Sequence, residues 1–245
     1  MQNSAPLLSV VVAVYNGEAF LDQFFTCLAN QQIDSMEVII VNDGSTDSSM
    51  QIVETWREKL PQMQVIEQEN QGVSIARNTG LAVATGQYLS FPDIDDVFKP
   101  GMYQRLLDMA VTQNLDVATC NGNYVWENNK KPSRPIFPED KLASTGVMTG
   151  AAWLKKALDS RKFLHVTWLN IYRHAFIKEQ GFSFEHGLRH QDIPWTTEVL
   201  LTARRVQYVD EVYYDYLIHS ASVSHTPGTD DTRMRSSRHY MKILE

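Results

Sequence analysis

The sequence predicts an α/β fold built on a mostly parallel, doubly wound sheet, and three observations carry that prediction. β-branched runs alternate with helix-spaced apolar segments through the first 113 residues. Polar residues stand directly after several of those runs, where an open parallel sheet receives its ligands. No apolar run approaches the roughly 20 residues a spanning helix needs. The hydrophobic residues, 43% of the chain, are therefore available for a core.

Taken in order, Leu8-Ser9-Val10-Val11-Val12-Ala13-Val14 reads as a buried strand. Gly17 to Asn30 carries Phe20, Leu21, Phe24, Phe25 and Leu28 at helical spacing. Val38 to Val41 is a second strand. Asp43-Gly44-Ser45-Thr46-Asp47 reads as a turn with a helix N-cap at Ser45 or Thr46, the helix running on to Leu60. Val65-Ile66 is a third strand, Ser74 to Ala84 a helix, Tyr88 to Phe91 a fourth strand and Pro100 to Thr112 a helix. Beyond residue 114 the pattern is mixed. Asp116 to Cys120 reads as a strand, Asn121 to Pro138 as a polar hairpin or excursion, and Gly150 to Leu158 as a helix. An aromatic-rich stretch precedes a helix from Asp192 to Ala203, and Val206 to Val209 and Val212 to Leu217 read as two strands. The expected division is a regular α/β half over 1–113, a mixed half over 114–225 and a basic helical segment over 226–245. That last segment stops at Glu245 without a helix-terminating signal, as a piece of a longer chain would.

The net charge of −7 excludes a general nucleic-acid binder. Two cysteines, Cys27 and Cys120, are too few for a disulfide framework and read as buried thiols in a reducing compartment. The apolar run Leu7 to Val14 is too short for a secretory signal and lacks a basic lead, so a cytoplasmic protein is expected. The 7 histidines show no paired zinc spacing.

The densest chemical signal is Phe91-Pro92-Asp93-Ile94-Asp95-Asp96. Three carboxylates directly after an apolar strand repel one another, and a hard divalent cation, Mn²⁺ or Mg²⁺, would relieve that repulsion. A solvated turn with a helix cap explains the same residues equally well when they are taken alone. Their position favours the cation: Asp43 ends another parallel strand and offers acceptors to a base or ribose, so several strand ends make one crevice.

These segments together resemble the family 2 glycosyltransferases, which have a GT-A fold. The resemblance rests on Ser9 to Asn16, Val41 to Asp47, Asn70-Gln71-Gly72-Val73-Ser74-Ile75-Ala76-Arg77-Asn78-Thr79-Gly80, Ala84 to Tyr88, Asp93 to Asp96 and Pro100-Gly101, in order and at the expected spacing. It implies a single Rossmann-like, mostly parallel sheet flanked by helices, with a smaller mixed region on the acceptor side. It also implies that Tyr15, Asn16 and Asp43 hold the nucleotide, with Arg77 close to the donor. Asp93 would face the ribose or metal, and Asp95 would be the main metal ligand. The closing segment Tyr214 to His225 resembles the one in which a family histidine approaches the metal, so His219 and His225 are both candidates.

In the family the general base is an Asp within a Glu-Asp pair. The matching segment here is His190-Gln191-Asp192-Ile193-Pro194-Trp195, with Gln191 in place of the Glu, so the resemblance assigns the base to Asp192. Read without the family, Asp192 with Pro194 behind it is a helix cap. Segments around His190, Ser144 to Gly150 and Ser160-Arg161-Lys162 resemble enzymes of lipopolysaccharide-core assembly, some of which transfer uronic acids. Arg161, Lys162 or Arg189 would then pair with a donor carboxylate or an acceptor phosphate. His190 and Trp195 are further substrate candidates. Trp153, Trp168 and Trp195 are each able to stack on a sugar, though at least two fit a core.

The expected activity is thus inverting transfer of a hexose or hexuronic acid from a UDP-sugar to a cell-surface glycan. Peripheral membrane contact would suit the basic run Arg233 to Lys242, which reads equally as a solvated helix face. A sugar-nucleotide pyrophosphorylase would need a basic Gly-rich loop after the first strand, where Val14-Tyr15-Asn16-Gly17-Glu18 stands instead. A nucleotide-sugar-binding subunit without chemistry has Gln191 as its sequence support.

Overall fold

The apolar runs of the first half are buried on both faces where they are central strands of a helix-covered parallel sheet, while the edge strand, Met63–Gln68, stays partly exposed. The computed structural model describes residues 5–60, 62–127, 130–160, 165–188 and 190–219. There these runs form β1 (Leu8–Val14), β2 (Met36–Asp43), β3 (Met63–Gln68) and β4 (Tyr88–Ser90). β3, β2, β1 and β4 lie side by side and all pair in parallel. α1 (Leu21–Ala29), α2 (Ser49–Arg57) and α3 (Val73–Val83) supply the crossovers.

The second half extends the same sheet with mixed polarity. After β5 (Val97–Phe98) and α4 (Met102–Gln113) come β6 (Val117–Trp126) and β7 (Arg134–Pro135). α5 (Gly150–Asp159), β8 (Asn170–Arg173), α6 (His174–Gln180), α7 (Asp192–Thr202) and β9 (Val206–Ile218) complete the described elements. The strand order is β3-β2-β1-β4-β8-β6-β9-β5, with β7 on β6. β8 is antiparallel to both β4 and β6, β9 is parallel to β6, and β5 is antiparallel to β9. The expected parallel order therefore holds from β3 to β4, and the sheet as a whole is mixed.

Three local expectations are corrected. The two strands foreseen after Ala203 are one, β9, because Asp210 at the break is held in line: its amide donates to Ser144 Oγ at 2.8 Å and its carboxylate accepts from Asn121 and Tyr208. Of the hairpin or excursion expected from Asn121, the structure takes the hairpin, with the strand before it longer than expected: β6 runs on to Trp126 beside β9 and returns antiparallel as β7. Ser45 and Thr46 do not cap α2. Asp47 accepts from the Ser49 amide at 3.0 Å, while Ser45 and Thr46 bind Asn16.

The core is continuous across both halves, and Cys27 and Cys120 lie in it as free thiols. Among the described residues no helix is long and apolar enough to cross a membrane. α5 approaches α7 through Gly150, where an added Cβ would lie 2.0 Å from the Leu200 carbonyl oxygen. That obstacle is backbone and cannot rotate away. Gly150→Ala should therefore cost about 1–3 kcal/mol of stability, read as a lowered urea midpoint at unchanged slope. An unchanged midpoint would show that the two helices separate freely.

Candidate active site

β1 and β2 end side by side, and the chain beyond them is laced together by side chains. Asn16 adopts a left-handed conformation, φ 49°. Its amide donates to Ser45 Oγ at 3.1 Å, and its Oδ1 accepts from the Thr46 amide at 2.8 Å. Gly44 permits the turn between them: its φ is +77°, and a Cβ there would meet the Asn70 nitrogen at 2.9 Å. Tyr15 stands 53% exposed at the rim, an uncommon setting for so large a ring. Asp43 is buried and accepts from Gln68 Nε2 at 2.7 Å, the Gln71 amide at 2.9 Å and the Gly72 amide at 2.8 Å. Its carboxylate thus fixes the loop from β3 into α3, with about one of its roughly four lone-pair positions left for a ligand.

The acidic segment follows β4. Asp93 Oδ1 accepts from Arg77 Nη2 at 2.7 Å, and Asp192 Oδ1 accepts from Nη1 of the same guanidinium at 2.8 Å. Asp95 Oδ2 lies 3.2 Å from His219 Nε2. Asp96 turns inward and accepts from the Leu217 amide at 2.8 Å, tying the end of β9, and so His219, to the acidic turn. Burial raises the Asp93 carboxyl above its ordinary range; Arg77 opposes the rise, and Asp192 and Asp95 add to it. Burial and the carboxylates of Asp93 and Asp95 push Asp96 well up in the same way, against the Leu217 amide and Tyr214 hydroxyl.

Asp192 is the first residue of α7, and its carboxylate is spent on Arg77, not on capping the helix. Tyr15, Asn16, Asp43, Asp93 and Asp95 thus stand at or just beyond the ends of β1, β2 and β4, where Arg77 brings Asp192 of α7 to Asp93 and His219 meets Asp95. Trp195 is the exception. It is 2% exposed and stacks on Phe184 with ring centroids 4.0 Å apart, so it is a core residue and presents no face to a sugar. Trp153 and Trp168 are buried likewise. His190 lies half-buried just before α7. Arg161, Lys162, Arg189, His225 and the basic run lie outside the described residues.

A divalent cation fits this donor set on two grounds. Asp95 and His219 offer a carboxylate oxygen and an imidazole nitrogen a hydrogen-bond length apart, and the surrounding carboxylates outnumber the cations. No group of three or more His, Cys, Asp or Glu side chains is placed to hold a metal among the described residues, so phosphate and water oxygens would have to complete the shell.

Sequence reasoning missed Gln68, which holds Asp43, and Phe184, which packs on Arg77. It also missed His165, whose half-buried ring feels the Asp192 charge. None carries a local motif; each reaches the site only through the fold.

The pattern of the family described as Glycosyl transferase family 2 matches residues 9–176. An uncharacterized glycosyltransferase of Escherichia coli K12, YibD, is 42% identical, over 99% of this chain and 70% of the relative. The crystal structure of S. aureus TarS 1-349 in complex with UDP-GlcNAc is similar with a TM-score of 0.77 and 26% identity, covering 97% of this chain and 66% of that one. The mannosyltransferase PcManGT from Pyrobaculum calidifontis, in complex with GDP-Man and Mn²⁺, shares the fold with a TM-score of 0.66 at 16% identity, over 98% of this chain and 64% of that one. The chain spans about two thirds of the length of these proteins, and its α/β architecture is the GT-A fold.

Proposed function

We propose, from the premise that this chain belongs to glycosyl transferase family 2, that it is a metal-dependent, inverting glycosyltransferase. Its donor is a UDP-linked hexose or hexuronic acid, and its acceptor a cell-surface glycan such as lipopolysaccharide core. One observation carries the reading: Asp192 and the acidic segment after β4, 115 and 16 residues from Arg77, meet on its single guanidinium. This contact supports reading a base beside a cation site. The UDP-GlcNAc complex of TarS and the Mn²⁺ complex of PcManGT support the donor and metal classes.

In this reading Tyr15 and Asp43 receive the nucleotide, and Asp95 with His219 holds Mn²⁺ or Mg²⁺. When bound, the cation supplies Lewis-acid stabilisation of the departing diphosphate. Asp192 accepts the proton of the acceptor hydroxyl as its oxygen bonds to the anomeric carbon. The bond from that carbon to the diphosphate breaks, and the nucleoside diphosphate leaves with the electron pair. Attack from the face opposite the leaving group inverts the centre. The uronate preference rests on the resemblance of the segments around His190 and Arg161.

Calorimetry of UDP-, GDP- and dTDP-sugars, each with and without Mn²⁺, tests this. The expected result is metal-dependent binding of one UDP-sugar, strongest for UDP-glucuronate, with Mn²⁺ itself bound more tightly once UDP is present. A folded protein that binds no nucleotide sugar in the presence of metal would overturn the donor site. Metal-dependent binding of a neutral UDP-hexose would overturn the uronate preference alone.

A further inference from the structure

The resemblance places Arg77 beside the donor, but the geometry points to a different task. We infer that Arg77 is a positioning residue that holds the Asp192 carboxylate and the first aspartate of the acidic segment in one frame, acting through them and not on the donor phosphates. The inference rests on the reading of Asp192 as the base.

The Arg77 side chain is 3% exposed, and its Nη1 and Nη2 are each committed to a different carboxylate, at 2.8 and 2.7 Å. It is braced from behind as well. Its guanidinium carbon sits 5.2 Å from the Phe184 ring centroid, and Phe184 lies flat on Trp195, three residues along α7 from Asp192. Asn78, the next residue of α3, closes the brace. Its Nδ2 donates to the Phe184 carbonyl and its Oδ1 accepts from the Phe184 amide, both at 2.8 Å. Two neighbouring residues of α3 therefore fix both the start of α7 and the aromatic wall behind it.

Stability alone is a poor explanation for this arrangement. Burying a guanidinium costs desolvation that its ion pairs barely repay, and apolar packing would serve a core as well. A planar fork does what apolar packing cannot: it sets two carboxylates at a defined separation and angle. It takes one oxygen of each, so the orientation of Asp192 toward the acceptor follows from the position of Asp93. Lysine, a single point charge, cannot define both.

The test compares wild type, Arg77→Lys, Arg77→Gln, Arg77→Ala, Asp192→Asn and the Arg77→Gln/Asp192→Asn double variant. UDP affinity is measured by calorimetry with Mn²⁺, and turnover as UDP release from UDP-glucuronate and UDP-glucose. The expected result for Arg77→Gln is a kcat about 100-fold lower with UDP affinity within about threefold of wild type. On the Asp192→Asn background the same change should add less than about threefold, because residues that act as a unit are not additive. Arg77→Ala should regain turnover in millimolar guanidinium. Where Arg77→Gln does not fold, Arg77→Lys carries the same comparison. An Arg77 variant with unchanged kcat and UDP affinity weakened about tenfold or more would overturn the inference in favour of direct donor contact. So would a full additional loss on the Asp192→Asn background. Wild type that binds no UDP with Mn²⁺ would instead sink the functional reading, and the inference with it.

Discussion

Asp192→Asn should lower kcat by about 10²- to 10⁴-fold, the usual worth of a positioned general base, and leave UDP binding with Mn²⁺ unchanged. The asparagine has the same shape, and its Oδ1 can still accept from Arg77 Nη1, so the frame around the guanidinium is kept. α7 loses no cap, because Asp192 is inside its first turn and does not close it. What disappears is the capacity to take a proton as the acceptor oxygen attacks. A loss confined to the transition state lowers kcat and kcat/KM together and leaves ground-state binding alone. Turnover of a UDP-sugar beside calorimetry of UDP separates the two quantities. Equal kcat in variant and wild type would move the base elsewhere. Donor binding without turnover in the wild type would favour the binding-subunit reading instead.

The two halves of the fold were not equally legible. β1 and β2 are buried on both faces, so they read as unbroken apolar runs, and the strand-end motifs can be located from them. The strands that complete the sheet have no such signature. β5 is Val97–Phe98 and β8 is Asn170–Arg173, too short to show a period. They are strands because β9, β4 and β6 already offer unpaired edges beside them.

The site divides the same way. Asp43, Asp93, Asp95 and Asp192 were named from motifs, but which carboxylate meets which cation depends on a contact between residues 115 apart. Trp195 was misplaced because a tryptophan next to a candidate base fits a sugar platform and a core equally well. The flat stack on Phe184 decides for the core. Gln191 is buried, so the family's Glu is replaced at a position out of solvent.

The second large effect is expected at Asp95. Asp95→Ala should abolish the Mn²⁺-dependent increment in UDP-sugar binding and lower turnover by about 10³-fold, the order of effect seen when a major electrostatic partner of the leaving charge is removed. The protein offers few ligands there: Asp95 Oδ2 and His219 Nε2 are 3.2 Å apart. Asp93 Oδ1 is already taken by Arg77, and Asp96 faces inward to the Leu217 amide. With so few donors, losing the carboxylate leaves an imidazole that holds a hard cation poorly by itself. His219→Gln should be milder, because it removes the softer donor and keeps the charge that a diphosphate-bound cation needs. The ordering of the two variants therefore discriminates between explanations. If Asp95 served only to shape the turn after β4, its alanine variant would lose stability and keep the wild type's Mn²⁺-dependent increment in UDP-sugar binding. If it holds the cation, the variant should fold normally, bind UDP-sugar as the metal-free wild type does, and fail to recover at raised Mn²⁺.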